Sequence, residues 1–327
     1  MTVRTVLEAV RETMREEMRR DERVVLLGED VGARGGVFRA SEGLLQEFGE
    51  ERVIDTPLAE GAIVGVAIGM SLNGLRPIAE IQFADFIHPA FDQIVSEAAR
   101  MRYRSNGVWG CPLVVRAPYG GGVHGALYHS QSVEAFFAHV PGLKVVAPST
   151  PRDVKGLLTA ALRDDDPVIF LEHKRTYRLI KGDVPDGDFV LPLGKAEVKR
   201  AGEHVSVITY GLAVHHALQA AEEVARDGVS VEVVDLRTLR PLDTEAVLAS
   251  VRKTGKALVV HEDNLTGGFG AEVAAIIAQE AFEHLDGPVT RLAGPDVPAM
   301  PFSPPLEEAF IPGPEKIAAA IRKLAAY

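Results

Sequence analysis

Apolar runs alternate with amphipathic stretches along the whole chain. We predict buried strands over 23–28, 76–82, 112–117, 167–172, 205–210, 230–236, 257–261 and near 289–292. Apolar residues at helical spacing predict helices over 3–20, 57–73, 91–103, 150 to about 164, 213–226, 243–253 and 270–282. Strands that alternate with helices are typical of parallel α/β architecture. The chain is therefore predicted to be an α/β protein.

The alternation is interrupted once, at residues 181–194 (KGDVPDGDFVLPLG). Glycine, proline and acidic turn residues break the periodicity there, as they do in linkers between domains. A chain of 327 residues is long enough for two separate cores. We therefore predict two doubly wound domains, residues 1–182 and 194–327, joined by a linker at 183–193.

Composition and charge exclude some classes of function. The chain is 46% hydrophobic and 25% charged, with a formal net charge of −11. This acidic balance argues against binding to nucleic acid or to an anionic membrane, which attract basic patches. Cys111 is the single cysteine, so no intrachain disulfide can form, and we expect it to be a small buried residue. Residues 1–20 lack an apolar signal core, and we expect a cytoplasmic protein, or an organelle protein shown without its presequence.

The segment LAEGAIVGVAIGM (58–70) has three glycines on one predicted helical face, Gly61, Gly65 and Gly69. Glycine in a helix costs about 1 kcal/mol relative to alanine, and close approach of another backbone would explain the stripe. Glu60 is the one charge between Asp55 and Arg76. Burial beside this helix would raise its pKa and suit it to proton transfer. Alternatively, Glu60 occupies the first helical turn and faces water.

A glycine-rich segment, YGGGVHGALYHSQ (119–131), follows a predicted strand. Consecutive glycines suit a backbone that approaches a ligand or adopts positive φ. His124 and His129 lie in this loop, and either could act as an acid or base because histidine titrates near neutral pH. A purely structural histidine is the alternative. The pair lacks a third ligand in sequence and is not predicted to bind metal.

Aromatic residues follow the strand at 76–82. Phe83 and Phe86 lie beyond its carboxyl end, where parallel α/β sheets bind ligands. Their rings could offer a flat surface to a heteroaromatic ligand, or they could be core residues. A second glycine cluster, GGFG (267–270), lacks the Lys-Ser/Thr of a phosphate loop and predicts only a helix entry.

Together these segments resemble one family over essentially the whole chain. Glu60, Gly65 and Gly69 match the Glu-x4-Gly-x3-Gly pattern of thiamine-diphosphate enzymes. The further matching phrases are LLGEDVG (26–32), DTPLAE (55–60), AEIQFADF (79–86), HGALYHSQS (124–132), PGLKVV (141–146), DLRTLRPLD (235–243) and TGGFGAE (266–272). The sequence resembles β-subunits of the decarboxylating component of 2-oxo-acid dehydrogenases, in the transketolase-like superfamily.

The resemblance implies a pyrimidine-binding domain followed by a transketolase C-terminal-type domain. It also implies a heterotetramer of two α and two β chains that docks to a lipoyl acyltransferase core through the C-terminal domain. Glu60 and His129 are the implied catalytic residues. The residues implied to line the thiamine diphosphate pocket are Glu29, Leu58, Ala59, Glu60, Gln82 and Phe86. Those implied to contact the 2-oxo acid are Phe83, Phe86 and His129.

Two departures qualify this assignment. The chain lacks the Gly-Asp-Gly element, followed by an asparagine, that holds Mg²⁺ and the diphosphate in such enzymes. The α-subunit is therefore expected to hold Mg²⁺, and no metal ligand is assigned here. His88 stands where relatives often have an apolar or aromatic residue, which leaves substrate preference open. A branched-chain 2-oxo acid is favoured and pyruvate is next. An acetoin dehydrogenase β-subunit, a split transketolase-like enzyme and a non-catalytic scaffold are the alternatives.

Overall fold

The computed structural model describes all residues from Met1 to Tyr327. Contacts divide the chain into two compact units. The first unit comprises Met1–Tyr119 and Phe136–Leu193, and the second comprises Gly120–Ala135 and Gly194–Tyr327. The glycine-rich loop therefore clusters with the second unit, although the domain division predicted from sequence assigns it to the first. The boundary at 182/183 stays a prediction.

The first unit is an α/β body built on a parallel sheet. Its strands are β1 Thr2–Thr5, β2 Val24–Gly28, β3 Val53–Asp55, β4 Arg76–Glu80, β5 Val114–Tyr119, β6 Lys144–Val146, β7 Val168–His173 and β8 Lys181–Val184. Its helices are α1 Val6–Arg20, α2 Leu44–Phe48, α3 Glu60–Leu72, α4 Met101–Arg104, α5 Glu134–Ala138 (which straddles the two units), α6 Pro151–Arg163 and α7 Thr176–Leu179. Six strands pair in parallel in the order β6-β7-β5-β4-β2-β3.

The N-terminal segment differs from the helix predicted over 3–20. Residues Thr2–Thr5 form β1, which pairs antiparallel with β8. The helix α1 begins after Thr5, whose side chain accepts from the backbone N–H of Glu8 while the Glu8 side chain accepts in return. This capping box satisfies two backbone donors at the helix start. The pairing partner of β1 lies about 180 residues away, so local periodicity could not reveal it.

Three other helices can be compared with the helices predicted from the sequence. Thr150 caps α6 by accepting from the N–H of Asp153, and Pro151 occupies the first turn, as predicted. The helix predicted over 57–73 begins three residues later, at Glu60. The helix predicted over 91–103 is irregular: Gln93–Glu97 is a π-helical turn, Ala98–Arg100 is a 3-10 turn, and α4 begins only at Met101.

The second unit is a smaller α/β body. Its strands are β9 Glu197–Arg200, β10 Val205–Thr209, β11 Val231–Asp235, β12 Thr238–Arg240, β13 Ala257–Asn264 and β14 Thr290–Gly294. Its helices are α8 Leu212–Ala225, α9 Thr244–Thr254, α10 Gly270–Glu280, α11 Pro304–Phe310 and α12 Pro314–Ala325. Five strands pair in the order β14-β13-β10-β11-β9, and only β9 runs antiparallel to its neighbour.

Each unit has its own hydrophobic core. In the first, α1 and α6 pack apolar side chains such as Met14 and Leu157 against buried strand residues. In the second, α8 and α12 pack Ala217 and Ile317 against β10 and β13. Cys111 is 1% exposed, as expected, and its thiol lies 3.3 Å from the Ser71 hydroxyl. Burial raises the pKa of this thiol. None of the helices has the length and apolarity required to cross a lipid bilayer.

Candidate functional site

Three adjacent parallel strands of the first unit end at the same edge of its sheet. Gly28, the last residue of β2, is in register with Asp55 at the end of β3 and with Glu80 at the end of β4. Ligands of parallel α/β sheets bind beyond such carboxyl ends. The chain that leaves these strands carries seven of the eight predicted site residues: Glu29, Leu58, Ala59, Glu60, Gln82, Phe83 and Phe86.

The segment after β2 is held against the end of β3. The backbone N–H of Gly32 donates to Asp55 Oδ1 at 2.6 Å, and Ala33 donates to Oδ2 at 3.3 Å. A Cβ on Gly32 would lie 2.6 Å from Asp55 Oδ2, so any other residue at this position would have to displace the carboxylate. The Asp55 carboxylate therefore fixes the direction in which the chain leaves Glu29.

Two carboxylates of the site interact electrostatically. Burial raises the pKa of Glu29, and the negative charges of Asp30 and Glu60 raise it further. Glu60 is the first residue of α3 and is half-buried. The fully buried carboxyl envisaged from the sequence is therefore not found in this chain alone. Leu58, two residues earlier, is 71% exposed, so the surface around Glu60 is open on one side.

Gln82 and two phenylalanines follow β4 and complete this edge. Gln82 Nε2 lies 3.5 Å from the carbonyl oxygen of Glu29 and 3.5 Å from Asp30 Oδ2, both at the long limit for hydrogen bonds. The rings of Phe83 and Phe86 pack edge to face with centroids 5.9 Å apart. Both phenylalanines are half-buried, so each retains ring surface outside the core. His88, three residues further along the sequence from Asp85, is exposed.

The glycine stripe of α3 has different surroundings at each position. A Cβ on Gly61 would lie 3.0 Å from the Pro89 carbonyl oxygen, and one on Gly65 would lie 3.5 Å from Gln93 Oε1. The expected close approach of another backbone is therefore present at Gly61, from within the same chain. Nothing lies within 4 Å of a Cβ placed on Gly69, so no contact within this chain explains that glycine.

A buried ion triad next to this edge was not identified from the sequence. Arg116 on β5 is 0% exposed and contacts Glu80 on β4 and Glu172 on β7, each at 2.6 Å. Burial raises the pKa of Glu80, although the Arg116 charge opposes this shift. Tyr177 adds a hydrogen bond to Glu172 at 2.5 Å. Charged residues that follow apolar residues within strands (IAE, VVR and FLE) were the available signal. The triad connects three adjacent strands of the sheet. Each of its charges has an opposite charge as a partner, as buried charges require.

His129, the eighth predicted site residue, belongs to the second unit. It follows a 3-10 turn formed by Ala126–Tyr128 and is half-buried. Gly125 makes room for it, because a Cβ there would lie 2.7 Å from both the Cβ and the carbonyl oxygen of His129. The structure contains no group of three or more His, Cys, Asp or Glu side chains arranged to hold a metal ion.

A second set of buried polar residues, also missed from sequence, lies in the second unit. Glu134 is 0% exposed and accepts from the Tyr210 hydroxyl at 2.8 Å. Burial, then the charge of Asp263, raises the pKa of Glu134 to about 8, and burial raises that of Asp263 to about 6. His261 is also fully buried, and burial lowers its pKa to about 4. Side chains at Gly268 or Gly270 would overlap its imidazole, so this glycine cluster accommodates His261 as well as beginning α10.

These shifts give a testable pH dependence of stability. The folded-state pKa of Glu134 exceeds its ordinary value of 4.5, so its contribution to stability is complete below about pH 4.5 and is lost as the pH rises through about 8. Glu134→Gln keeps an acceptor for Tyr210 and removes the charge. As the pH rises, we expect the free energy of unfolding of this variant to fall by a few kcal/mol less than that of the wild type, since one pKa unit corresponds to about 1.4 kcal/mol. The pH dependence of the free energy of unfolding is measured by thermal unfolding between pH 5.5 and 8.5. Exposed Glu222→Gln is the matched control, and parallel curves for wild type and Glu134→Gln would contradict the expectation.

Comparison with known proteins first identifies the class. Residues 3–180 match the family model "Transketolase, pyrimidine binding domain", and residues 194–317 match "Transketolase, C-terminal domain". A solved structure described as a split gene transketolase, inactive beta4 tetramer, is similar with a TM-score of 0.79 and 24% identity over 98% of each chain. At that identity the likeness shows the fold alone. The chain is thus a two-domain protein of the transketolase type, as the sequence predicted.

Sequence relatives identify the family within this class. The chain is 63% identical over all 327 residues, covering 100% of both chains, to the 2-oxoisovalerate dehydrogenase subunit beta of Bacillus subtilis. It is 49% identical over 324 residues, 99% of each chain, to the pyruvate dehydrogenase E1 component subunit beta of the same organism. The chain belongs to the family of 2-oxo-acid dehydrogenase β-subunits. Membership implies dependence on thiamine diphosphate.

The donor set at the sheet edge suits the aminopyrimidine half of that cofactor. An aminopyrimidine presents ring nitrogens, an exocyclic amine and a flat aromatic face. The carboxylates of Glu29 and Glu60 interact with each other, and half-buried aromatic rings lie on the neighbouring segment. Carboxylates can hydrogen-bond to a ring nitrogen or amine, and phenylalanine rings can stack on a heteroaromatic ring. The residues present therefore fit this group.

Proposed function

We propose that this chain is the β-subunit of a decarboxylating component specific for branched-chain 2-oxo acids, active only with an α-subunit. The observation that carries the substrate preference is the 63% identity over all 327 residues to a 2-oxoisovalerate dehydrogenase subunit beta, against 49% to a pyruvate dehydrogenase E1 component subunit beta. The proposed cofactor site rests on the sheet edge that carries Glu29, Glu60 and the half-buried phenylalanines. The proposed reaction is oxidative decarboxylation of the 2-oxo acid and reductive acylation of a lipoyl group. Pyruvate is the second substrate in order of preference.

In this proposal each residue at the edge has one role. Thiamine diphosphate supplies the carbon nucleophile that attacks the 2-oxo group and the electron sink for decarboxylation. Glu60 donates a proton to the pyrimidine ring nitrogen and accepts it back. Phe86 packs on the pyrimidine face. The other residues proposed to line the pocket are Glu29, Leu58, Ala59 and Gln82. Phe83 contacts the substrate.

His129 is proposed as a second proton-transfer residue. It lies in a loop whose glycines permit an unusual backbone path, and binding and catalytic residues are often carried on such loops. Histidine exchanges protons near neutral pH. We assign His129 to proton transfer at the substrate oxygen or the lipoyl sulfur during acyl transfer.

The α-subunit is proposed to complete the site. Leu58, Val66 and Leu72 are 71%, 51% and 45% exposed, and a partner that covered them would also exclude water from Glu60. We propose that this partner holds Mg²⁺ and the diphosphate, that two α and two β chains assemble, and that the C-terminal domain docks to the lipoyl acyltransferase core. A single buried cysteine is consistent with the cytoplasmic location that we infer.

The test of the proposed function is a substrate comparison in the assembled enzyme. The chain is co-expressed with the α-chain, purified with thiamine diphosphate and Mg²⁺, and assayed with 3-methyl-2-oxobutanoate and pyruvate. We expect kcat/KM to be at least tenfold higher for the branched acid, because one extra methylene buried in a pocket contributes about 1–3 kcal/mol. A higher value for pyruvate would overturn the substrate assignment. Turnover by this chain without the α-chain would overturn the proposal that the α-subunit completes the site.

A further inference from the structure

The loop that carries His129 has an unusual backbone. Between Gly120 and His129, four residues have positive φ: Gly120 (83°), Gly122 (78°), His124 (56°) and Ala126 (53°). Positive φ is readily adopted by glycine but is disfavoured for residues with a Cβ. Such strain persists only where surrounding contacts enforce it. The contacts that hold His124 and Ala126 therefore determine the conformation of the loop.

Two buried carboxylates from distant parts of the second unit hold the first half of the loop. Glu262, on β13, accepts from the N–H of Gly121 at 2.5 Å. Glu307, on α11, accepts from the N–H groups of Gly122 at 2.8 Å and His124 at 3.2 Å through the same oxygen, Oε1. Its other oxygen, Oε2, lies 2.6 Å from Nδ1 of His124. Glu307 is 2% exposed, so few water molecules compete for these bonds.

The position of Glu307 is unusual for a carboxylate. Consecutive backbone N–H groups with alternating φ form a concavity that binds anions, often a ligand's phosphate. Here a carboxylate of the same chain fills that concavity. Charge-assisted hydrogen bonds are roughly twice as strong as neutral ones. Two of the three contacts of Glu307 thus directly constrain His124, one of the two strained residues that have a side chain.

The second half of the loop connects this conformation to His129. Gln131 Nε2 donates to the carbonyl oxygen of Leu127 at 3.3 Å, and the Gly120 N–H donates to the Gln131 carbonyl at 3.0 Å, so the loop is closed at its base. Gly125, next to His124, lies directly against His129. The contact between Gly125 and His129 leaves no room for a Cβ. A change in the backbone at His124 would therefore move Gly125 and alter that contact.

We propose that Glu307 is a positioning residue for His129: by binding Gly122 and His124 it fixes the loop in the conformation that presents the His129 imidazole for proton transfer. Glu307 acts only through the loop backbone and the His124 side chain. The inference rests on the proposed role of His129 and adds to it a residue 178 positions away in the chain.

The experiment uses the assembled enzyme with thiamine diphosphate and Mg²⁺ bound. Two rates are measured: reductive acylation of a lipoyl domain, and decarboxylation with an artificial electron acceptor. Hydrogen exchange at the backbone amides of residues 121–129 is followed by mass spectrometry. The variants are Glu307→Ala and Glu307→Gln, with Glu308→Ala as the matched control, because Glu308 is the exposed neighbour on the same helix.

We expect Glu307→Ala to lower the acylation rate at least tenfold, to change decarboxylation less, and to speed amide exchange in the loop at least tenfold without altering exchange in β13. Glu307→Gln keeps an oxygen that accepts from Gly122 and His124, so it should fall between wild type and the alanine variant. Glu308→Ala should match wild type in all three measurements.

Gly125→Ala supplies an independent variant if Glu307→Ala does not fold. It leaves Glu307 in place and displaces His129 sterically, so we expect the same selective loss of acylation. Loss of acylation in His129→Ala together with wild-type acylation in Glu307→Ala overturns this inference alone. Unchanged loop exchange in a slow Glu307 variant also overturns it. No loss in His129→Ala overturns the proposed role of His129, and this inference with it.

Discussion

Glu60→Gln is expected to lower kcat for decarboxylation by about 10²–10⁴-fold, the usual contribution of a proton-transfer group. Glutamine preserves the size and hydrogen-bonding capacity of the side chain, but it cannot exchange a proton with the pyrimidine nitrogen. The measurement is carbon dioxide release by the assembled α–β enzyme under saturating cofactor. Assembly with the α-chain should be unchanged by size-exclusion chromatography, because Glu60 is half-buried at the start of α3 and glutamine matches it in size.

Two further variants separate proton transfer from simple loss of charge. Glu51→Gln changes an exposed carboxylate on the segment before β3 and should leave turnover at the wild-type level. Glu29→Gln removes the carboxylate that interacts with Glu60, and we expect a smaller loss than for Glu60→Gln. Near-normal turnover of Glu60→Gln would show that Glu60 is not the proton-transfer residue.

His129→Ala is expected to lower reductive acylation of the lipoyl domain by about 10²-fold, in the range for removal of an acid–base group, with a smaller effect on cofactor affinity. Alanine removes the imidazole while the adjacent Gly125 keeps the backbone path open. Acylation is measured with a purified lipoyl domain, and cofactor affinity by titration of the apoenzyme with thiamine diphosphate. Equal losses in both measurements would assign His129 a structural role.

The control for this prediction is a histidine ten positions further along the chain. His139 follows α5 and is exposed, so His139→Ala should retain both acylation and cofactor affinity. A loss in this variant similar to that of His129→Ala would show that the assay reports general disruption of the segment rather than proton transfer.

The sheet architecture could be predicted from sequence because it depends on local apolar periodicity. The predicted strands at 23–28, 76–82 and 205–210 overlap β2, β4 and β10. The edge of the site was predictable for a related reason: its residues follow strand ends directly in sequence. The strand pair β1–β8 was not predictable, since its short, polar segments become strands only when they meet across the length of the chain.

The missed residues share one property: their roles depend on contacts distant in sequence. Arg116 is an isolated charge in an apolar strand until Glu80 and Glu172 are seen on either side. Glu307 contacts His124 across 183 positions. The glycines of α3 are a different case, because the helical spacing suggested one explanation, a close backbone approach, for all three. The structure supports that explanation at Gly61 and provides no contact for Gly69.

The buried thiol of Cys111 has a practical consequence for labelling. Only the thiolate reacts with maleimides or oxidants, and this thiol is shielded from solvent and has a raised pKa. The surface of the chain therefore carries no competing sulfhydryl. A cysteine introduced at an exposed position such as Tyr103 would be the one group to accept a fluorophore or spin label, with no need to replace the native residue first.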